Sequence, residues 1–192
     1  MVERYQFTQY FLRRKFLQLA GATLWIDTLN GETVLYCKMK AFKLREDIRL
    51  YTGEDMRTEV LSIKARQIFD ISATYDVVDS TTGETVGALQ RKGIKSILVD
   101  EWEFLNAKGQ VIGTLKEDKL ILALIRRFIL NLVPQTYQAE VGGNPVGTYK
   151  QNFNPYTMKL TIDFTQDRQG LLDRRLGLAA AILLGAVEGK QN

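Results

Sequence analysis

Histidine does not occur anywhere in the 192-residue sequence. Its absence removes the usual general base near neutral pH, the commonest metal ligand and every histidine-dependent catalytic triad. Cysteine is almost as scarce. Cys37 stands alone, so an internal disulfide, a zinc ligand set and a C-x-x-C redox pair are all excluded, and a reducing cytoplasm suits the chain. The three prolines, Pro134, Pro145 and Pro155, all fall in the last third, and no Pro-, Gly- or Ser-rich linker divides the sequence. The expectation is one domain over residues 1–192. The N-terminal "MVERYQFTQYFLRRKF" has no apolar stretch leading to a small-residue cleavage site, so a secretory signal is not expected.

What is present is ordinary for a folded chain: 45% apolar and 25% charged residues, with 26 basic side chains interspersed among 22 acidic ones for a net charge of +4. That balance permits phosphate or anionic lipid partners without requiring them. A turn signature recurs four times, in the segments that start at Trp25, Tyr75, Glu101 and Tyr137. Each has an aromatic-led strand and a polar turn ending in glycine (Gly31, Gly83, Gly109, Gly143). Val34, Val86, Ile112 or Val146 follows three residues later. These read as β-hairpins. In three of the four a second glycine follows at once (Gly87, Gly113, Gly147), as expected where a strand bends or another backbone comes close. The run from Tyr156 to Phe164 alternates apolar and polar residues with period two, so one face is buried and the other wet. With further runs at Tyr10–Leu17, Lys43–Tyr51 and Thr58–Ile63, the count reaches about eleven or twelve strands, too many for a small open sheet.

After Asp173, Arg174 and Arg175, the segment "LGLAAAILLGAV" (Leu176–Val187) is apolar on every side of a helical wheel, so a helix there must be surrounded by protein. It falls well short of the roughly 20 residues that a membrane span needs. Gly177, Ala181 and Gly185 recur every fourth residue, a stripe of small side chains that suits close packing against a barrel wall. A helix about 10 Å across requires a wide barrel. The predicted architecture is therefore mainly β: a closed antiparallel barrel of about 12 strands around a central hydrophobic C-terminal helix. One further helix is expected near residues 118–133, where a broad apolar face from Leu120 to Leu132 carries Arg126 and Arg127 on its polar side. That helix either caps a barrel mouth or lies in a membrane interface. The run Tyr10–Phe16, with Arg13, Arg14 and Lys15 among aromatics, admits the same two readings.

The basic group Arg91, Lys92 and Lys95 is a candidate grip for a phosphate or headgroup, with Gly93 allowing close backbone approach. Its competing reading is a solvated turn whose charges discourage edge pairing. Asp27, Asp76, Asp79 and Glu84 sit in or near turns, where Asp especially has structural uses, and no phosphate loop, nucleophile elbow or dinucleotide-binding glycine run occurs. No catalytic residue, metal site or cofactor is therefore assigned, and nucleic-acid binding is disfavoured for want of interleaved aromatic and basic residues.

Three segments, Lys38–Tyr51, Ala73–Gly113 and Asp173–Leu184, resemble the LURP-one-related family of the tubby C-terminal-like superfamily, to which the phospholipid scramblases also belong. The middle one, with Arg91-Lys92-Gly93, Ser96 and Glu101-Trp102, is the most specific. The resemblance implies a twelve-stranded barrel threaded by its C-terminal helix, and it brings phosphoinositide or membrane binding into view. The chain departs from scramblases in lacking a calcium-loop pattern before the last helix and a cysteine-rich stretch, so neither calcium dependence nor acylation is expected. The resulting expectation is a non-enzymatic, cytoplasmic domain, peripheral at a membrane, that recognises anionic phospholipid or phosphoinositide headgroups. Arg91, Lys92, Lys95, Arg126 and Arg127 are its candidate contacts. The alternatives are a protein-interaction module without lipid affinity and an enzyme using Lys and carboxylate chemistry.

Overall fold

The computed structural model describes residues 3–17, 21–39, 47–66, 73–92, 101–118, 135–152 and 158–187. A short 3-10 turn (Glu3–Tyr5) leads into β1 (Gln9–Leu17), β2 (Gly21–Thr28), β3 (Thr33–Met39), β4 (Asp47–Tyr51), β5 (Glu59–Ala65) and β6 (Thr74–Asp79). Then come β7 (Thr85–Arg91), β8 (Glu101–Leu105), β9 (Val111–Glu117), β10 (Thr136–Val141), β11 (Asn144–Asn152) and β12 (Met158–Asp163), and the chain ends in helix α1 (Arg174–Val187). Each strand pairs antiparallel with the next, and β1 closes the ring against β12. Closure leaves no unpaired sheet edge.

The five hairpin connections β2–β3, β4–β5, β6–β7, β8–β9 and β10–β11 lie at one end of the barrel, and the sequence repeat that four of them carry has a definite structural meaning. The turn glycines Gly31, Gly83, Gly109 and Gly143 hold φ between +76° and +83°, a region that other residues enter at a cost. Three residues on, the register slips. Ile26 pairs with Leu35 and Asp27 with Thr33, passing over Val34. The same happens at Val86, Ile112 and Val146. The β4–β5 hairpin repeats it at Val60, without the sequence signature. Each skipped residue is a β-bulge, which bends the strand at the barrel rim. Because the bulge turns an extra side chain inward, that position must be apolar. Val34, Val60 and Val146 are buried, and Val86 and Ile112 pack on the core.

Helix α1 enters at this hairpin end and runs through the lumen against β6, β7, β12, β1 and β2. Every residue from Leu176 to Ala186 is buried, and the two glycines among them leave no room for a side chain against the surrounding residues. A Cβ added at Gly177 would lie 2.7 Å from the Phe164 ring, and one at Gly185 would lie 2.9 Å from Leu24. The small-residue stripe is therefore a packing device, in line with the close packing against a barrel wall expected from its spacing. At the far end, the buried Arg14 donates from Nη1 to the Gly185 carbonyl oxygen, placing a cation at the negative end of the helix. Burial brings its pKa down to about 10, so it stays charged at neutral pH. Tyr149 donates its hydroxyl to the Gly177 carbonyl at 3.0 Å and ties the first turn to β11. Strand β9 runs up to Glu117, and Asp118 follows it outside any strand or helix. The helix expected near 118–133 otherwise lies outside the described residues.

Candidate functional site

The entry of α1 is held by ion pairs. Asp173 caps the helix, accepting from the Arg175 backbone N–H at 2.9 Å. The Arg175 guanidinium binds three carboxylates at once: Asp79 at 2.9 Å, Glu84 at 2.7 Å and Asp173 at 2.7 Å. Asp167, whose side chain is fully enclosed, accepts from the Leu171 and Leu172 N–H groups and from Arg174 at 2.9 Å. Arg174 also stacks on Phe164, 4.5 Å from the ring centre. The turn acids that looked structural in the sequence are therefore structural here: Asp79 and Glu84 bolt the first strand turn of the β6–β7 hairpin to the helix.

Burial opposes the charge on Asp79, but hydrogen bonds from Thr81 and Arg175 outweigh it and hold the carboxyl below its ordinary value. Glu101, opposed by burial but held by Lys92 and Lys116, and Asp163, opposed by burial but held by Thr165 and Gln9, are lowered as well. A depressed folded-state value contributes stability that is fully present above the unfolded carboxylate range, about pH 4, and lost as pH falls through the folded value. Urea midpoints should accordingly stay flat between about pH 5 and 7 and drop steadily below about pH 4. A midpoint that does not move on acidification would mean that these pairs contribute nothing net.

Of the candidate headgroup contacts, Arg91 ends β7 opposite Trp102 and is half-buried. Lys92 sits between two glutamates, with Nζ 2.9 Å from Glu101 and 3.0 Å from Glu103, and these raise its pKa. Lys116 approaches Glu101 from the next strand at 3.5 Å. This face is therefore a charge-compensated lattice. Lys95, Arg126 and Arg127 lie outside the described residues.

Six strands further round the ring, the outer wall is different. On β1 the inward residues are Tyr10, Leu12 and Arg14, which leaves Arg13 and Lys15 facing out. Register places Lys15 opposite Thr23, and Thr23 opposite Lys38. It also sets Arg13 between Lys159 and Trp25, with Lys150 opposite Thr161 one strand beyond. Lys15, Lys38, Lys150 and Lys159 are exposed, and none makes an ion pair among the described residues. Adjacent partners in such a sheet stand about 5 Å apart, so four free ammonium groups share one continuous face. Arg13 is bound by Asp27 and lies over the Trp25 ring, 4.7 Å from its centre. Trp25 in turn donates to Glu54 at 2.7 Å.

Sequence points to Lys15 through the basic run Arg13 to Lys15, whereas Lys38, Lys150 and Lys159 come from β3, β11 and β12 and join it only through strand pairing. No signal short of the strand register could have joined them. Among the described residues no group of His, Cys, Asp or Glu could hold a metal ion, and no helix is long and apolar enough to cross a membrane. Comparisons with curated proteins and with solved structures return no match. A family model described as LURP-one-related matches residues 33–183, from the first residue of β3 into the later turns of α1. With β3 to β12 and most of the threaded helix inside that match, the chain belongs to the LURP-one-related family.

Proposed function

We propose that this domain is a non-enzymatic binding module that docks on anionic phospholipid surfaces through the outer wall of β11, β12, β1, β2 and β3. The observation that carries the reading is the set of four exposed lysines without acidic partners, Lys15, Lys38, Lys150 and Lys159, gathered on one face. A lysine near an anionic leaflet contributes about 1 kcal/mol, so the four together suffice for salt-sensitive peripheral attachment. Half-buried Trp25 in the same patch supplies an amphipathic ring of the kind favoured at a bilayer interface. Acidic side chains bordering the patch already have partners: Asp27 binds Arg13 and Thr33, Glu54 binds Trp25, and Asp163 binds Gln9 and Thr165.

Sedimentation with phosphatidylcholine vesicles, with and without phosphatidylserine or a phosphatidylinositol bisphosphate, tests the reading. The protein should pellet with the anionic vesicles at low salt and be released at high salt. Lys15→Glu with Lys159→Glu should weaken binding at least about tenfold without altering the fold. If only Arg126→Glu with Arg127→Glu weakens it, the attachment lies elsewhere than on this wall. If the native protein ignores every anionic vesicle at low salt, the protein-interaction reading takes its place.

A further inference from the structure

The hairpin end of the barrel, where α1 enters, holds a cavity of about 900 Å³. Its walls come from the N-terminal segment, the β6–β7 turn at Thr81 and Thr82, and the loop from Asp167 to Asp173 with the first residues of α1. That volume lies within the range of small-molecule sites, roughly 300–1,000 Å³. No residue of the lysine wall lines it.

Most of the charge in the lining is already engaged inside the protein. Arg174 is bound to Asp167, and Arg175 to Asp79, Asp173 and, just outside the lining, Glu84. Arg168 is the exception: it lines the cavity, is exposed and makes no ion pair among the described residues. Because Arg175 answers three carboxylates, the cavity as a whole is not basic. An anion therefore gains there from direct pairing with the free guanidinium, whose planar fork matches a carboxylate, and little from a long-range field. The second residue left without a counterpart is apolar. Five large hydrophobic side chains stay exposed among the described residues, and Leu171, 38% exposed, is the one that lines this cavity. An apolar group seated on it removes both surfaces from water. Arg168 and Leu171 stand on one tightly held turn. The enclosed Asp167 carboxylate accepts from the Leu171 N–H at 2.8 Å and the Leu172 N–H at 3.2 Å, and Gly170, with φ +65°, turns the chain back around it. Both side chains are thus displayed from a fixed backbone, which lowers the ordering cost of binding.

We propose that this cavity is a binding site for a small carboxylate with an apolar body. The carboxylate pairs with the Arg168 guanidinium, and the body covers Leu171. The inference is independent of the lipid reading, which rests on residues of another face.

Titration calorimetry of the full chain with naphthoate tests it, with naphthol as the same body lacking the charge and acetate as the charge lacking the body. Naphthoate should bind saturably, and each of the other two should bind at least about tenfold more weakly, the value of one charge-assisted pair. Arg168→Gln should lower naphthoate affinity about tenfold, to the level of naphthol, and leave naphthol unchanged. Leu171→Ser should weaken naphthoate and naphthol by the same factor. Both positions are exposed, so both variants should melt with the native protein. Lys15→Glu with Lys159→Glu should bind naphthoate as the native protein does, which separates the cavity from the lysine wall. Equal affinity for naphthoate and naphthol, or for naphthoate and acetate, would overturn the proposal. So would native-like naphthoate binding by Arg168→Gln or by Leu171→Ser. Absence of saturable naphthoate binding, or its loss in the lysine variant, would overturn it as well.

Discussion

Ile182→Asp is expected to leave little folded protein. Ile182 lies in the middle of α1 and is 1% exposed, with Ala181 and Leu183 beside it equally buried. The helix is surrounded by barrel wall, so a carboxylate at this position can neither reach water nor meet a free cation. Arg14, the buried cation of the lumen, is committed to the Gly185 carbonyl. Desolvation of the carboxylate and loss of the isoleucine packing together should cost more than about 4 kcal/mol. That is comparable to the whole stability of a typical domain, about 5–15 kcal/mol. Urea unfolding followed by near-UV circular dichroism from Trp25 and Trp102 checks it, with Leu171→Asp on the exposed rim as the control. A variant that melts cooperatively within about 1 kcal/mol of the native protein would mean that α1 does not thread the barrel.

The second large effect concerns the glycine after the bulge. A Cβ built on Gly113 falls on the Glu140 carbonyl oxygen and comes within 2.9 Å of the Val141 side chain. The obstacle is backbone of the paired strand, so relief requires β9 and β10 to separate along their ladder. Gly113→Ala should cost about 3 kcal/mol, the upper end of overpacking effects. Gly109→Ala, four residues earlier in the turn, is the informative comparison. Gly109 has φ +77° and open space around its Cα, so the substitution brings only the local penalty of a left-handed residue, about 1 kcal/mol. Equilibrium unfolding of the two variants should rank them in that order. Equal costs would mean that the close approach at Gly113 relaxes freely.

Much of the barrel was legible because its rules are local. The apolar residue three positions after each turn glycine marked the bulge, and the second glycine marked the close approach, at Gly87 and Gly113 to a neighbouring carbonyl and at Gly147 to the Phe164 ring. The β4–β5 hairpin was not read as part of the repeat because its turn is built without the glycine signature, yet it bulges at Val60 all the same. The site was much less legible. Lys92 looked like a phosphate grip in a run of basic residues, but the β7–β8 register sets it against Glu101 and Glu103, nine and eleven positions away in the chain.

The sequence by itself determined the class of fold, the hairpin rims and the burial of the C-terminal helix, because periodicity, turn chemistry and a helix apolar on all sides are properties of short segments. Tertiary structure alone decided which charges remain free and which are neutralised. Closure of β1 on β12 brings Lys15 and Lys159 to one wall from opposite ends of the chain, and threading of α1 carries Arg175 to Asp79, ninety-six residues away. Electrostatic partnership depends on distance in space, and antiparallel pairing through a closed ring fixes that distance between residues whose separation in sequence says nothing about it.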